Sequence, residues 1–262
     1  MGNQCLSDIP AFRLHDRIYF VGSSRVSVHV IETQKGLVMI DTGYPDMYDQ
    51  ILSSMDELGL EAAKLCAIVH SHGHIDHFGC TARLKALSGA TTYISRIDND
   101  IVNGTLDLSW AKELGYDRLP PFDCDVLIDD GDVLDFGDVT VRCVAAPGHT
   151  AGTLAFFVTL PDGTVAAMHG GMGLNSMTRD FLERYGLSLD CREQFRVGLH
   201  RLAKERVDLV LGNHPGQNET EGKRARLALG ERDVLDGAEW AALLRSSERE
   251  LNAMLARETI PS

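Results

Sequence analysis

Short apolar runs alternate with amphipathic stretches along the chain, a pattern that predicts a mixed α/β protein. Residues 17–21, 27–31 and Gly36–Ile40 read as three strands joined by tight turns, so an antiparallel meander is expected. A helix over 47–58 follows, with Met47, Ile51, Met55 and Leu58 on one face and Gly59 as its stop. Leu65–Val69 is a buried strand, 78–87 a helix and 91–94 another strand. Residues 96–122 are irregular and hold Trp110, Tyr116, Pro120, Pro121 and Phe122. They read as a helical insertion packed by its own aromatics, or as a flap over a site. From residue 126 the pattern turns β again (126–128, 132–136, 139–144, then a hairpin of 153–160 and 164–168). A loop over 171–189, a helix over 192–204, a strand over 207–211 and helices over 220–229 and 238–256 complete the chain. No linker or low-complexity segment interrupts it, so one domain over residues 1–262 is expected.

The chemistry concentrates after the strand Leu65–Val69, where the chain reads His70-Ser71-His72-Gly73-His74-Ile75-Asp76-His77. His72 and His74 lie two apart on an extended segment, so both side chains can converge on one ion. Asp76 and His77, entering the next helix, would point at a neighbouring position. Imidazole and carboxylate suit zinc and similar divalent ions. A lone histidine in a loop would be read as solvated or hydrogen-bonded; four ligand types within six residues favour a metal site. His29, alternating with apolar neighbours, reads instead as a histidine of the core or sheet edge.

The motif His72-x-His74-x-Asp76-His77 resembles the signature of the metallo-β-lactamase superfamily. Two further landmarks agree: Asp41-Thr42-Gly43 after a strand, and Pro147-Gly148-His149-Thr150 after another. The resemblance implies a four-layer αβ/βα sandwich with a one- or two-metal site at one end of its two sheets. It implies His149 as third ligand to the first metal, His214 as the last ligand, and Asp41 holding the metal loop by hydrogen bonds without touching metal. His72, His74 and His149 would hold one zinc, and Asp76, His77 and His214 a second, with iron or manganese also compatible. Most of the family carries an aspartate where this chain has His169, which either ligates as a seventh group, supports a ligand without touching metal, or does not ligate. The set of only His and Asp ligands resembles one β-lactamase subclass.

That resemblance implies a hydrolase in which a metal-bound hydroxide attacks the carbonyl of a small cyclic amide, ester or lactone, with Asp76 orienting the nucleophile. β-Lactamase activity falls within that range. A thioesterase of the glyoxalase II type is the alternative, and a diiron oxidoreductase ranks behind both. Asn175, Ser176 and Asn213 are candidates for contacting substrate.

Composition adds limits. The 262 residues are 44% apolar and 24% charged, ordinary for a globular protein. With 25 basic against 38 acidic residues the net charge is −13, which argues against nucleic acid as a partner. The six cysteines show no metal spacing and read as reduced, mostly buried thiols. Residues 1–5 have no secretory pattern, and no apolar run reaches membrane-spanning length, so a cytoplasmic protein is expected. The tail helices are compatible with closing the pocket or with a homodimer.

Overall fold

A computed structural model describes residues 9–117 and 119–259. Cys5 and the rest of the first eight residues, over which no leader pattern was read, lie outside that range.

The first sheet has seven strands in chain order: β1 (Phe12–His15), β2 (Ile18–Phe20), β3 (His29–Thr33), β4 (Gly36–Ile40), β5 (Leu65–Val69), β6 (Thr91–Ser95) and β7 (Val126–Ile128). The expected meander is there as β2–β3–β4, extended by β1, which the sequence reading left out. β1 is only four residues long and slips register between Arg13 and His15, so it carries little periodic signal. From β4 to β7 the pairing is parallel, with α1 (Tyr48–Glu57), α3 (Thr81–Ser88) and short α2 (Ile75–Phe78) and α4 (Asn99–Val102) in the crossovers. The second sheet runs β12-β11-β10-β9-β8: β8 (Val133–Asp135), β9 (Thr140–Ala145), β10 (Leu154–Thr159), β11 (Val165–His169) and β12 (Leu209–Val210). α5 (Arg179–Tyr185), α6 (Cys191–Leu202), α7 (Thr220–Ala228) and α8 (Glu239–Glu258) accompany it.

Strand alternation separates the layers. Ile31, Val38, Ile40, Ala67 and Val69 of the first sheet meet Val141, Cys143, Phe156, Val158 and Met168 of the second in one buried core. The opposite face of the first sheet (Val30, Met39, Ile68) packs on Ile51 and Met55 of α1 and Leu84 of α3. The opposite face of the second (Ala155, Phe157, Ala167, Val210) packs on Phe195 and Leu199 of α6 and Trp240 and Leu251 of α8. Helices, sheet, sheet and helices make the four-layer αβ/βα sandwich expected from the resemblance.

This topology decides where chemistry can gather. β4, β5 and β6 are parallel and end on one edge of the first sheet. β9, β11 and β12 likewise end together, since β10 runs antiparallel to β9 and β11 while β12 is parallel to β11. The loops after those six strands carry Asp41, His72–His77, Asp98, His149, Gly170-Gly171 and His214.

Three expectations change. The helix after the motif starts at Ile75 rather than 78 and is interrupted at Gly79-Cys80, so Asp76 and His77 are helical. At Gly79 the chain passes close to its neighbours: an added Cβ would lie 2.4 Å from the Pro45 nitrogen. The stretch 171–189 is not a plain loop but contains α5, capped by the Thr178 side chain and stopped at Gly186. Among its described residues the insertion at 96–122 is helical only over Asn99–Val102, and its aromatics pack on neighbouring elements and not on one another. Its Val102 and Ala111 pack with Ile75 and Phe78, while Trp110 lies against His74. Five described cysteines are free thiols, with Cys80, Cys124 and Cys143 buried. Among the described residues no helix is long and apolar enough to cross a membrane.

Candidate metal centre

Two groups of side chains meet where the sheet edges converge. One ligand atom from each of His72, His74 and His149 lies within 4.8 Å of the others, and the same holds for Asp76, His77 and His214. The rings of the first group pack edge to face at centroid distances of 4.6–4.7 Å, and His72 joins the two groups with its ring 4.2 Å from that of His77. The Asp76 carboxylate is 3.5 Å from His77 Nε2 and 3.7 Å from His214 Nε2.

The outer nitrogens are held from behind. Asp41 is fully buried and has φ of 59°, a left-handed conformation that a short polar side chain tolerates. Its carboxylate accepts three hydrogen bonds at 2.7 Å, from Ser71 N, Ser71 Oγ and His77 Nδ1. Because the Ser71 hydroxyl donates to Asp41, it accepts from His72 Nδ1 at 3.0 Å. His149 Nδ1 donates to the Gly173 carbonyl at 2.7 Å, and His214 Nδ1 to that of Arg25 at 2.8 Å. In each of these four histidines Nδ1 carries the proton, leaving the Nε2 lone pair for the centre.

Electrostatics follow from crowding in a dry place. Burial pushes the His72 and His74 imidazoles well below their ordinary value, and the neighbouring imidazoles add to the effect. Burial also takes His149 down to about 4 and lowers His214. His77 alone goes up: burial opposes its charge, but Asp76 and Asp41 outweigh it. Nε2 of His72 and Nε2 of His77 are buried without a hydrogen-bond partner. An orphaned buried acceptor costs about 1–3 kcal/mol. Neutral imidazole lone pairs with one carboxylate, converging in threes, are a donor set that fits two divalent cations.

The remaining expected residues take other positions. His169 is in neither group. It continues the face of β11 that carries Ala167, towards α6; its ring lies edge-on to Phe195 and Nδ1 accepts from Gly171 N. Its Nε2 is buried without a hydrogen-bond partner. Asn213 is buried and donates its amide to the Gly170 carbonyl at 2.7 Å, so it braces two loops instead of facing a substrate. Ser176 donates to the His149 carbonyl at 2.6 Å, and Asn175 is exposed at the start of the turn Asn175–Met177. His70 is structural: Nδ1 donates to the Tyr93 carbonyl and Nε2 accepts from Thr81 Oγ1. His29 is buried and donates to the Gly212 carbonyl.

In sequence Asp98 carries no assigned role, and Trp110 is named only as part of an insertion or flap over the site. Asp98 is buried and accepts from Gly73 N, Thr150 Oγ1 and Gly152 N, which ties the His72–His74 loop to the His149 loop. Trp110 sits between His74 and Phe181 at 5.6 and 5.3 Å. The aromatic concentration in 96–122 was the available signal for Trp110; an aspartate in an irregular loop offered none.

Comparison with known proteins agrees with this geometry. Residues 21–166, more than half of the chain, match the family described as the metallo-beta-lactamase superfamily. A metallo-beta-lactamase motif mutant from Cronobacter sakazakii superposes with a TM-score of 0.85 at 29% identity, covering 95% of this chain and 98% of that one. BJP-1, a subclass B3 metallo-beta-lactamase of Bradyrhizobium japonicum, gives 0.86 at 25%, covering 97% of each. Among curated proteins, an uncharacterised protein of Aquifex aeolicus is 31% identical over 139 residues, 52% of this chain and 62% of that protein. A hydroxyacylglutathione hydrolase of Maricaulis maris is 28% identical over 156 residues, 60% of this chain and 45% of that protein. The chain thus spans about half the length of the curated relatives it matches. By fold, motif and family match, the chain belongs to the metallo-β-lactamase superfamily.

Proposed function

We propose that this protein is a dinuclear metal-dependent hydrolase, with zinc as its ion, acting on the carbonyl of a small amide, ester or lactone. The observation that carries the reading is the pair of three-residue groups, each offering three protein donors and so leaving a position open to substrate or water. Divalent ions held there would supply an ionised water at neutral pH and polarise a carbonyl. The chain's own residues do the rest. Asp41 and Ser71 fix the proton on Nδ1 of His77 and His72, so that Nε2 of each faces the centre. Asp76, between His77 and His214, is the one carboxylate of the two groups and is placed to accept a proton from an attacking water.

A second reading is a thioesterase. It is favoured by the hydroxyacylglutathione hydrolases among the relatives. Against it stands His169, buried against Phe195 where a bridging carboxylate would be sought.

The test is turnover of a panel containing nitrocefin, a γ-lactone, a simple ester and a hydroxyacylglutathione thioester. The first reading expects hydrolysis of an amide, ester or lactone, lost on chelation, regained with zinc and lost in His214→Ala. Turnover confined to the thioester would establish the second. Activity that survives complete removal of metal would contradict both.

A further inference from the structure

Beside His74 and His149 the structure opens a cavity of about 230 Å³ that touches none of Asp76, His77 and His214. Beyond His74 and residues 148–151, its walls come from the stretches 97–108 and 176–194. Ile101, Phe181 and Leu182 form a buried apolar lining, while Ile97, Leu106 and Leu187 stand at its mouth 57%, 43% and 38% exposed. Large apolar side chains left in water and gathered around one opening mark a binding surface. No lysine or arginine lines the cavity, and its charged groups are Asp98 and Asp190. Asp98 is engaged with Gly73, Thr150 and Gly152. An anionic arm lying away from the centre would meet no basic side chain here. The volume is below the roughly 300–1,000 Å³ of pockets that hold a whole drug-sized ligand, so this one fits part of a molecule.

We infer that the substrate carries an uncharged, apolar arm, an alkyl chain or a single aromatic ring, which this cavity takes up on the three-histidine side of the centre. The inference rests on the hydrolase reading and adds the substrate class to it. It disfavours substrates whose arm on that side is charged, glutathione thioesters included. Nothing in the cavity distinguishes the acyl side of an ester from its alkoxy side, so both must be varied.

The test uses the zinc-loaded protein and two ester series, one lengthened from acetyl to octanoyl, the other from methyl to octyl. In one of them kcat/KM should rise about fourfold per added methylene until the cavity is full. Calorimetry with octanamide and acetamide, which needs no turnover, should show octanamide binding at least tenfold more tightly. Both gradients should flatten in Leu106→Glu and in Ile97→Glu, exposed positions that tolerate charge, and persist in Leu229→Glu, an exposed control outside the cavity. Hydrolysis of the shortest esters with no dependence on length in either series would overturn the arm and leave the hydrolase standing. Absence of all hydrolysis would sink the hydrolase, and the two amides would still decide the cavity: equal binding, or a preference unchanged in both mouth variants, overturns it.

Discussion

The Asp98 carboxylate accepts the Thr150 hydroxyl at 2.6 Å, joining the first sheet's metal loop to that of the second. The same carboxylate takes Gly73 N at 2.9 Å and Gly152 N at 2.8 Å. His74 follows Gly73 and His149 precedes Thr150, so Asp98 fixes the spacing within one triad without belonging to it. Asp98→Ala should weaken metal binding at the His72–His74–His149 group by roughly 10- to 100-fold, and Asp98→Asn should restore part of it. Competitive chelator titration reads this. Equal weakening at both groups would indicate general unfolding and contradict a positioning role.

Gly171 passes so close to His149 that an added Cβ would lie 2.7 Å from its Cδ2 and 2.8 Å from its Cβ. The imidazole cannot retreat without giving up its bond to the Gly173 carbonyl. Gly171→Ala should therefore lower occupancy of the three-histidine group while leaving the Asp76–His77–His214 group loaded. Unchanged occupancy of both groups would show that the loop gives way instead.

Burial holds His29 at about 4, against an ordinary value of 6.5, although its bond to Gly212 works the other way. A depressed folded value means that its contribution to stability is full above about pH 6.5 and is lost as pH falls through about 4, a swing of roughly 3 kcal/mol. His149 and His169, taken by burial to about 4 and about 3, act in the same direction. Urea unfolding between pH 7.5 and pH 4 should show this acid loss, shallower in His29→Gln, whose amide can still donate to Gly212. Parallel pH profiles for the two proteins would refute the assignment to His29.

The largest parts of this account were legible in the sequence for a physical reason. β4, β5 and β9 to β11 are apolar runs bounded by turns, and the residues that converge at the centre include four within a single six-residue stretch. What could not be read is whatever depends on distance through space. Asp98 is 25 residues from Gly73 and 52 from Thr150, with no local pattern to mark it. The cavity beside His74 exists only because the stretches 97–108 and 176–194, far apart in the chain, face each other beside the loop 148–151. His169 shows the same limit from the other side. A histidine at a strand end next to glycines left ligation open, because the face on which it falls is set by the alternation of β11 and not by its type.

Lys223, which is buried, and Glu239, which is half-buried, form an ion pair at 2.8 Å between α7 and α8, and Lys223 also donates to the Val210 carbonyl at the end of β12. Burial lowers the Lys223 pKa and raises that of Glu239, so each charge is held against desolvation by its partner. Glu239→Ala should destabilise by about 3–5 kcal/mol, whereas the double change Lys223→Met with Glu239→Leu should be near neutral or stabilising. Denaturant titration of the single and double variants checks this, and additive losses would contradict it.

Native mass spectrometry of the intact chain, wild type beside His149→Ala and His214→Ala, tests the centre most directly. Two divalent ions in the wild type, and one in each variant, is the result expected if the two groups are separate sites. A wild type that binds none, or variants that both keep two, would contradict a dinuclear centre built from these six residues.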